Sequence, residues 1–190
     1  KHFFDQWALN QLPENSPPAW AGFKFFNVYG PNEYHKERMA SVAFHTFNQF
    51  SQTVAMKLFK GTKVGIKDGE QQRDFVYVKD AASIVAYFFS AALTNKPAHP
   101  TTNINGIYNI GTGEARTFKD LATNVMSSMC KTPNIEYIDM PLDLQGKYQY
   151  YTEAPMAKVR AAGYKSPMTS LEDGVKDYVQ NYLMQDDPYC

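Results

Sequence analysis

Residues 19–31 constrain the fold of this chain more than any other stretch. An apolar run reaches Phe26-Asn27-Val28, breaks at the Tyr29-Gly30-Pro31 turn and passes at once into a loop rich in His, Lys and Arg. A hydrophobic strand that ends in a polar loop is how open α/β sheets build ligand sites, at the carboxyl ends of their strands. Strand and helix patterns alternate along the rest of the sequence. Residues 2–12 place Phe3, Phe4, Trp7, Ala8 and Leu12 near helical spacing, with Pro13 and Pro17-Pro18 to end the helix. Residues 19–28 read as one buried strand, and 56–59, 73–78, 107–110 and 135–138 as further strands. Helices are expected over 39–52, 80–93, 117–130, 154–162 and 170–183, a loop or hairpin over 61–72 and a connector over 95–105. Such alternation argues for an α/β fold.

Composition narrows the function classes. The 190 residues are 44% apolar and 20% charged, ordinary for a globular protein and enough for an adequate core. Nineteen basic residues balance nineteen acidic ones, so no global field draws in nucleic acid or an anionic membrane, and an anion must be held locally. Cys130 and Cys190 are too few for a disulfide framework and lack zinc-like spacing; both are expected to be free thiols in a reducing compartment, without a catalytic role. The four histidines are scattered, and no metal site is expected. No apolar stretch approaches the roughly 20 residues that span a bilayer, and Lys1-His2-Phe3-Phe4-Asp5 lacks the layout of a signal peptide. A cytoplasmic setting is expected.

Three islands occur in order: Phe26-Asn27-Val28-Tyr29-Gly30-Pro31, then Arg73-Asp74-Phe75-Val76-Tyr77-Val78-Lys79-Asp80, then Tyr108-Asn109-Ile110-Gly111-Thr112-Gly113. Together they resemble the C-terminal half of extended short-chain dehydrogenase/reductases that act on nucleotide sugars. The loop Pro31-Asn32-Glu33-Tyr34-His35-Lys36-Glu37-Arg38-Met39-Ala40-Ser41 is more specific. Tyr-Gly-Pro followed by His-Lys and Met-Ala-Ser looks like the ADP-L-glycero-D-manno-heptose 6-epimerase family, on which most of the chain can be laid. That family begins with a strand, a G-x-x-G-x-x-G turn and a helix, and no such motif is in the sequence. The chain is therefore expected to be a C-terminal portion, inactive alone. The resemblance implies the C-terminal part of a Rossmann-like dehydrogenase with a small α/β substrate-binding domain. Residues 1–30 would be the tail of the dinucleotide-binding domain, 31–72 a substrate-binding segment, 73–113 a return to the cofactor-domain sheet and 114–190 the C-terminal substrate-binding domain. It further implies NADP, with NAD as the alternative, transiently oxidising C6 of ADP-D-glycero-D-manno-heptose for lipopolysaccharide core heptose, in a homo-oligomer of the full-length enzyme. Two other readings stay open: another nucleotide-sugar epimerase or dehydratase, or a noncatalytic fragment that binds sugar nucleotides.

The site residues follow from the same resemblance. Lys1 matches the lysine of a Tyr-x-x-x-Lys pair, which binds the nicotinamide ribose and lowers the tyrosine pKa; its tyrosine would sit four residues upstream, and the alternative for Lys1 is a solvated terminal residue. Lys36 matches the family's second acid/base group and a cofactor contact, with His35 and Arg38 as neighbours able to depress its pKa; the alternative is a solvated loop lysine. Asn27 and Val28, at the end of their strand, would contact substrate and cofactor. Arg38 and His45, seven apart, would share a helix face towards the substrate, although Arg38 replaces a small hydroxyl residue found in some members and His45 has an ordinary structural alternative. Arg73 is a candidate for bidentate phosphate capture, unless it pairs with Asp74 or Asp80. Phe59, Lys60, Gly61 and Thr62 would border the nucleotide, and Tyr148 would contact substrate or simply pack at the domain edge. Gly111-Thr112-Gly113 lacks the last glycine of a dinucleotide motif and reads as a strand-to-helix turn.

Overall fold

The computed structural model describes residues 2–94 and 104–189. In chain order the elements are α1 (His2–Leu9), β1 (Ala21–Phe25), β2 (Asn27–Tyr29), α2 (Val42–Thr53), β3 (Met56–Phe59), β4 (Gln72–Tyr77), α3 (Val78–Thr94), β5 (Gly106–Ile110), β6 (Ala115–Thr117), α4 (Phe118–Ser128), β7 (Ile135–Ile138), α5 (Leu142–Gln145), α6 (Ala157–Ala161) and α7 (Leu171–Tyr178). Short 3-10 turns occupy Pro13–Asn15 and Tyr34–Met39, and a π-helical turn, Val179–Leu183, continues α7. Most of the expected connector, together with Lys1 and Cys190, lies outside the described residues.

The run expected as one strand over 19–28 is two. Phe26 N–H still donates to the Ile110 carbonyl (2.9 Å), but Val28 N–H turns back onto the Phe26 carbonyl (2.9 Å), a γ-turn centred on Asn27. Before this kink β1 pairs in parallel with β5, from Ala21 opposite Gly106 to Phe25 opposite Ile110. Beyond it β2 pairs in parallel with β4, from Asn27 opposite Phe75 to Tyr29 opposite Tyr77. The chain thus changes hydrogen-bond partner at Phe26–Asn27. β6 runs antiparallel to β4, and β3 pairs in parallel with β7 as a separate ladder. Gly30 follows β2 with φ 138°, where a Cβ would meet Val78 Cγ1 at 2.5 Å, so the Tyr-Gly-Pro turn needs glycine.

Caps set the helix boundaries. Ser41 accepts from Phe44 N–H and starts α2 at Val42, three residues later than expected, while Val54 ends it in the left-handed region. Thr117 and Asp120 form a reciprocal capping box on α4. Ser170 caps α7 through Asp173 N–H. The helix expected over 154–162 shrinks to α6, because Pro155 disfavours a helical Ala154 and the Ala154 N–H is engaged elsewhere. α3 starts directly at the end of β4 without a loop.

Packing joins these pieces into adjoining cores. Ile84, Phe88, Tyr108, Ile110 and Val159 fill the space between α3, α6 and the β1–β5 pair. Tyr29, Phe75, Leu121, Val175 and Tyr178 do so between α2, α4, α7 and the β2–β4 pair. Outside them, apolar side chains stay exposed on α1 (Phe3, Phe4, Trp7) and on the outer face of α3 (Phe89, Leu93), with Phe25 beside them. Cys130 is an exposed free thiol. No helix among the described residues is long and apolar enough to cross a membrane.

Asp74 ties the halves together. Its carboxylate is fully buried and accepts from Thr112 N–H (2.7 Å) and Thr112 Oγ1 (2.8 Å) on one oxygen, and from Gly113 N–H and Ala154 N–H (both 2.9 Å) on the other. The 111–113 turn therefore leads from β5 into β6, not straight into a helix, with its amides already taken up by a carboxylate. Nearer the surface, Asp177 accepts from Tyr77 OH (2.7 Å), Lys79 Nζ (2.7 Å) and Asn181 Nδ2 (2.6 Å). Burial pushes its carboxyl up, but these bonds outweigh burial and hold it below the ordinary aspartate value.

Two outcomes are expected. Asp74→Ala should lower the unfolding free energy in urea by at least about 3 kcal/mol, the cost of leaving several buried donors unpaired. A group with a depressed folded pKa stabilises above its unfolded value of 3.8 and loses that contribution as pH falls through the folded value. Asp177→Asn should thus flatten the loss of stability below about pH 5, as read by thermal melts across pH, while changing little of its slope at neutral pH.

Candidate functional site

The kink at Asn27 and the Gly30 turn deliver the chain into the 31–41 loop. Lys36 N–H donates to the Glu33 carbonyl (3.0 Å) and Ala40 N–H to the Glu37 carbonyl (3.0 Å), and between them Glu37 takes φ 48°, ψ −126°, which reverses the backbone inside the 3-10 turn. Lys36 lies exposed at the edge of an open apolar cavity of about 620 Å³, lined also by Phe25, Val28, Val78, Ala81 and Phe89. The structure therefore brings Val28 and Lys36 to one cavity wall. No carboxylate forms an ion pair with Lys36 among the described residues. Asn27 sits exposed at the kink. Lys1 lies outside the described residues.

Arg38 and His45 do not share a helix face. Ser41 caps α2, so the helix cannot reach back to Arg38, which remains in the 3-10 turn. The two still meet: His45 Nε2 lies 3.3 Å from the Arg38 carbonyl oxygen, a hydrogen bond when that nitrogen carries the proton.

A second cluster forms around Arg73. Its guanidinium packs over the rings of Tyr148 (5.1 Å) and Phe118 (5.5 Å) and donates to the Gln72 carbonyl (2.8 Å). Neither proposed carboxylate partner engages it: Asp74 is taken by backbone amides, and Asp80 accepts from Thr169 N–H (2.7 Å) and Oγ1 (2.9 Å). Arg73 forms no ion pair among the described residues. Burial lowers its pKa from the usual arginine value, opposed by Tyr148, yet a guanidinium keeps its charge. Tyr148 is pushed up by burial, against the pull of the Arg73 charge. Phe59 meets Tyr148 edge to face (6.1 Å), and Phe59, Tyr148, Phe118 and Gln71 line a smaller cavity of about 220 Å³ together with Met56 and Leu58.

The segment 59–62 is held firmly beside it. Buried Gln71 donates to the Phe59 and Lys60 carbonyls (3.4 and 3.0 Å), and Gly61 N–H donates to Asp68 (2.8 Å). A Cβ on Gly61 would fall 2.0 Å from the Ile66 carbonyl oxygen, so the close approach of these backbones requires glycine. Thr62 Oγ1 hydrogen-bonds Tyr150 OH, and Lys60 turns outward to pair with Asp139 (3.0 Å). Phe59, Arg73 and Tyr148 are thus one cluster, with Gly61 and Thr62 at its border.

Sequence reasoning missed Phe118 and Gln71. Phe118 carries the signal of an ordinary core aromatic at a helix start, and Gln71 that of a loop residue ahead of a strand. No group of three or more His, Cys, Asp or Glu side chains that could hold a metal occurs among the described residues.

Residues 1–111 match the NAD dependent epimerase/dehydratase family. A Fusobacterium nucleatum protein named ADP-L-glycero-D-manno-heptose-6-epimerase is 53% identical over all of this chain and 55% of its own length. One of the same name from Nitratidesulfovibrio vulgaris is 46% identical over all of this chain and 54% of its own. The crystal structure of the Helicobacter pylori protein of that name superposes with a TM-score of 0.72 at 25% identity, over 95% of this chain and 48% of that one. Thermus thermophilus UDP-glucose 4-epimerase, solved in complex with NAD, shares the fold with a TM-score of 0.63 at 23% identity, over 94% of this chain and 49% of that one. The chain spans about half the length of the curated relatives it matches, and on the match over 1–111 it belongs to the NAD dependent epimerase/dehydratase family.

Proposed function

We propose that this chain is the part of a nucleotide-sugar epimerase that receives ADP-D-glycero-D-manno-heptose and brings Lys36 to its C6. The single observation that carries this is Arg73: a guanidinium held between two aromatic faces, with no carboxylate partner among the described residues, beside an apolar cavity. Its planar donors suit a pyrophosphate, and Phe59 and Tyr148 offer ring faces and edges to an adenine. Relatives named for ADP-heptose epimerisation support ADP over other nucleotides.

In this reading Lys36 Nζ takes or returns the proton of the C6 hydroxyl on one face of the sugar. Val28 and Lys36 would hold the nicotinamide end of the cofactor, and Lys1, on the family likeness, would bind its ribose; when bound, NADP, or NAD in its place, would supply reversible hydride acceptance. Asn27, Arg38 and His45 orient the heptose between the two clusters, and Phe59, Lys60, Gly61 and Thr62 flank the nucleotide. The chain's residues fit only this end of a dinucleotide. The sequence holds no Gly-rich cradle for the cofactor's pyrophosphate, and the amides of the 111–113 turn are taken up by Asp74. We therefore assign 1–30 and 73–113 to the cofactor-domain sheet and 31–72 with 114–190 to the substrate side, in an enzyme of lipopolysaccharide core heptose that works in the cytoplasm as a homo-oligomer. The 190 residues alone should not turn over.

Two measurements test this. Calorimetric titration of the chain with ADP should show binding that Arg73→Ala weakens at least tenfold; equal affinity in the variant would remove Arg73 from the nucleotide site. Joined to the N-terminal half of the Fusobacterium nucleatum relative, the chain should invert C6 of the ADP-heptose. There Lys36→Met should cost roughly 100-fold or more in turnover, the contribution of a general acid/base, with ADP affinity unchanged.

A further inference from the structure

Glu33 is an unusual residue to find buried, since a carboxylate leaves water only when its oxygens are satisfied. It is 3% exposed. One oxygen accepts from Ser41 N–H (2.6 Å), the other from Ser41 Oγ (2.6 Å) and from Tyr178 OH (2.9 Å). Ser41 Oγ in turn caps α2 by accepting from Phe44 N–H. A single carboxylate thus fixes both ends of the turn that carries Lys36 and fastens it to α7, whose Tyr178 is fully buried. Burial first and the Glu33 charge second push the Tyr178 hydroxyl well above the ordinary tyrosine value, in keeping with its role as donor to Glu33. The neighbouring residue makes a second attachment. Tyr34 OH donates to the Pro188 carbonyl (2.8 Å), and its ring meets Tyr189 edge to face (4.9 Å) and Phe44 at 5.4 Å.

The turn between these attachments needs them. Glu37 holds a backbone conformation outside the usual allowed regions, which persists only where the surroundings over-determine it. Inside the turn the backbone supplies the Lys36 to Glu33 and Ala40 to Glu37 bonds. Lys36 is exposed and forms no ion pair among the described residues, so its location at the cavity edge is set by the backbone beneath it.

We propose that Glu33 is a positioning residue for Lys36: clamped between Ser41 and Tyr178, and seconded by Tyr34 on the Pro188 carbonyl, it holds the 34–39 turn so that the lysine stays at the edge of the cavity that Val28 lines. This rests on the reading of Lys36 as the acid/base group, although the mooring itself can be judged apart from it. The Arg73 cluster does not depend on Glu33, so losing the clamp should affect turnover and not nucleotide binding.

Hydrogen exchange followed by mass spectrometry on the 190-residue chain tests the mooring. In Glu33→Gln the amides of 35–41 should exchange at least tenfold faster, while those of β4 stay at the parent rate; Tyr178→Phe and Tyr34→Phe should each give a smaller increase in the same peptide. Tyr178→Phe carries the test should Glu33→Gln fail to fold. Unchanged exchange over 35–41, or faster exchange spread equally over β4, would overturn the proposal. In the joined enzyme, Glu33→Gln should lower kcat at least tenfold with KM for the ADP-sugar within twofold; a rise in KM with kcat intact would overturn it as well. Full turnover by Lys36→Met would instead overturn the functional reading, leaving the mooring to the exchange data.

Discussion

The buried carboxylate of Asp74 is the interaction on which the rest of the molecule depends. A charge in the interior is tolerated only when its oxygens are surrounded by donors. Here all the donors come from the 112–113 turn and from the segment leading into α6, so satisfying one side chain of β4 fixes two distant stretches of chain. Successive strand residues point to opposite faces, and Arg73 therefore leaves the other side of β4. Because three backbone amides and the Thr112 hydroxyl satisfy the Asp74 oxygens, its neighbour is not conscripted as counter-ion. The guanidinium is released to stack between Tyr148 and Phe118 with donors to spare. What was an ambiguous Arg-Asp pair in the sequence is resolved into a structural carboxylate and a cation available to a ligand.

The second organising feature is the seam at Phe26–Asn27. The strand changes partner there, and the cavity lined by Phe25 and Val28 from either side of the seam lies against α3. Val28 and the loop with Lys36 sit there because of the seam, whereas Arg73 and Tyr148 sit where β4, α4 and the 146–150 segment converge. The two clusters are thus supported by different parts of the fold. They belong to one reaction only if a single ligand touches both.

The sequence made the alternation of strands and helices legible because apolar periodicity is local. Its errors came where a distant partner or a local cap or proline overrode that periodicity. Residues 19–28 are largely apolar, and nothing in them shows that the hydrogen bonds pass from β5 to β4. β6 is three residues, Ala-Arg-Thr, visible only through its pairing with β4. α2 starts late because Ser41 caps it, against an apolar pattern that ran back to Met39. α6 is short because Pro155 and the demand of Asp74 claim Ala154. In the site, residue types alone did not single out Phe59, Arg73 or Tyr148; likeness to a family did, and the structure draws those three together. Gln71 and Phe118 escaped because a residue that supports a ligand-facing side chain looks, in sequence, like any other interior residue.

The attachment of Tyr34 to Pro188 spans 154 residues, and that of Glu33 to Tyr178 spans 145. Contacts so distant along the chain close late, because the entropy of the intervening loop must be lost before they form. Elements between β1 and α3 can begin to assemble while the turn with Lys36 still lacks both of its anchors. The turn takes its final shape only once residues 178–189 have docked, and until then Lys36 rides on a backbone that neither anchor fastens.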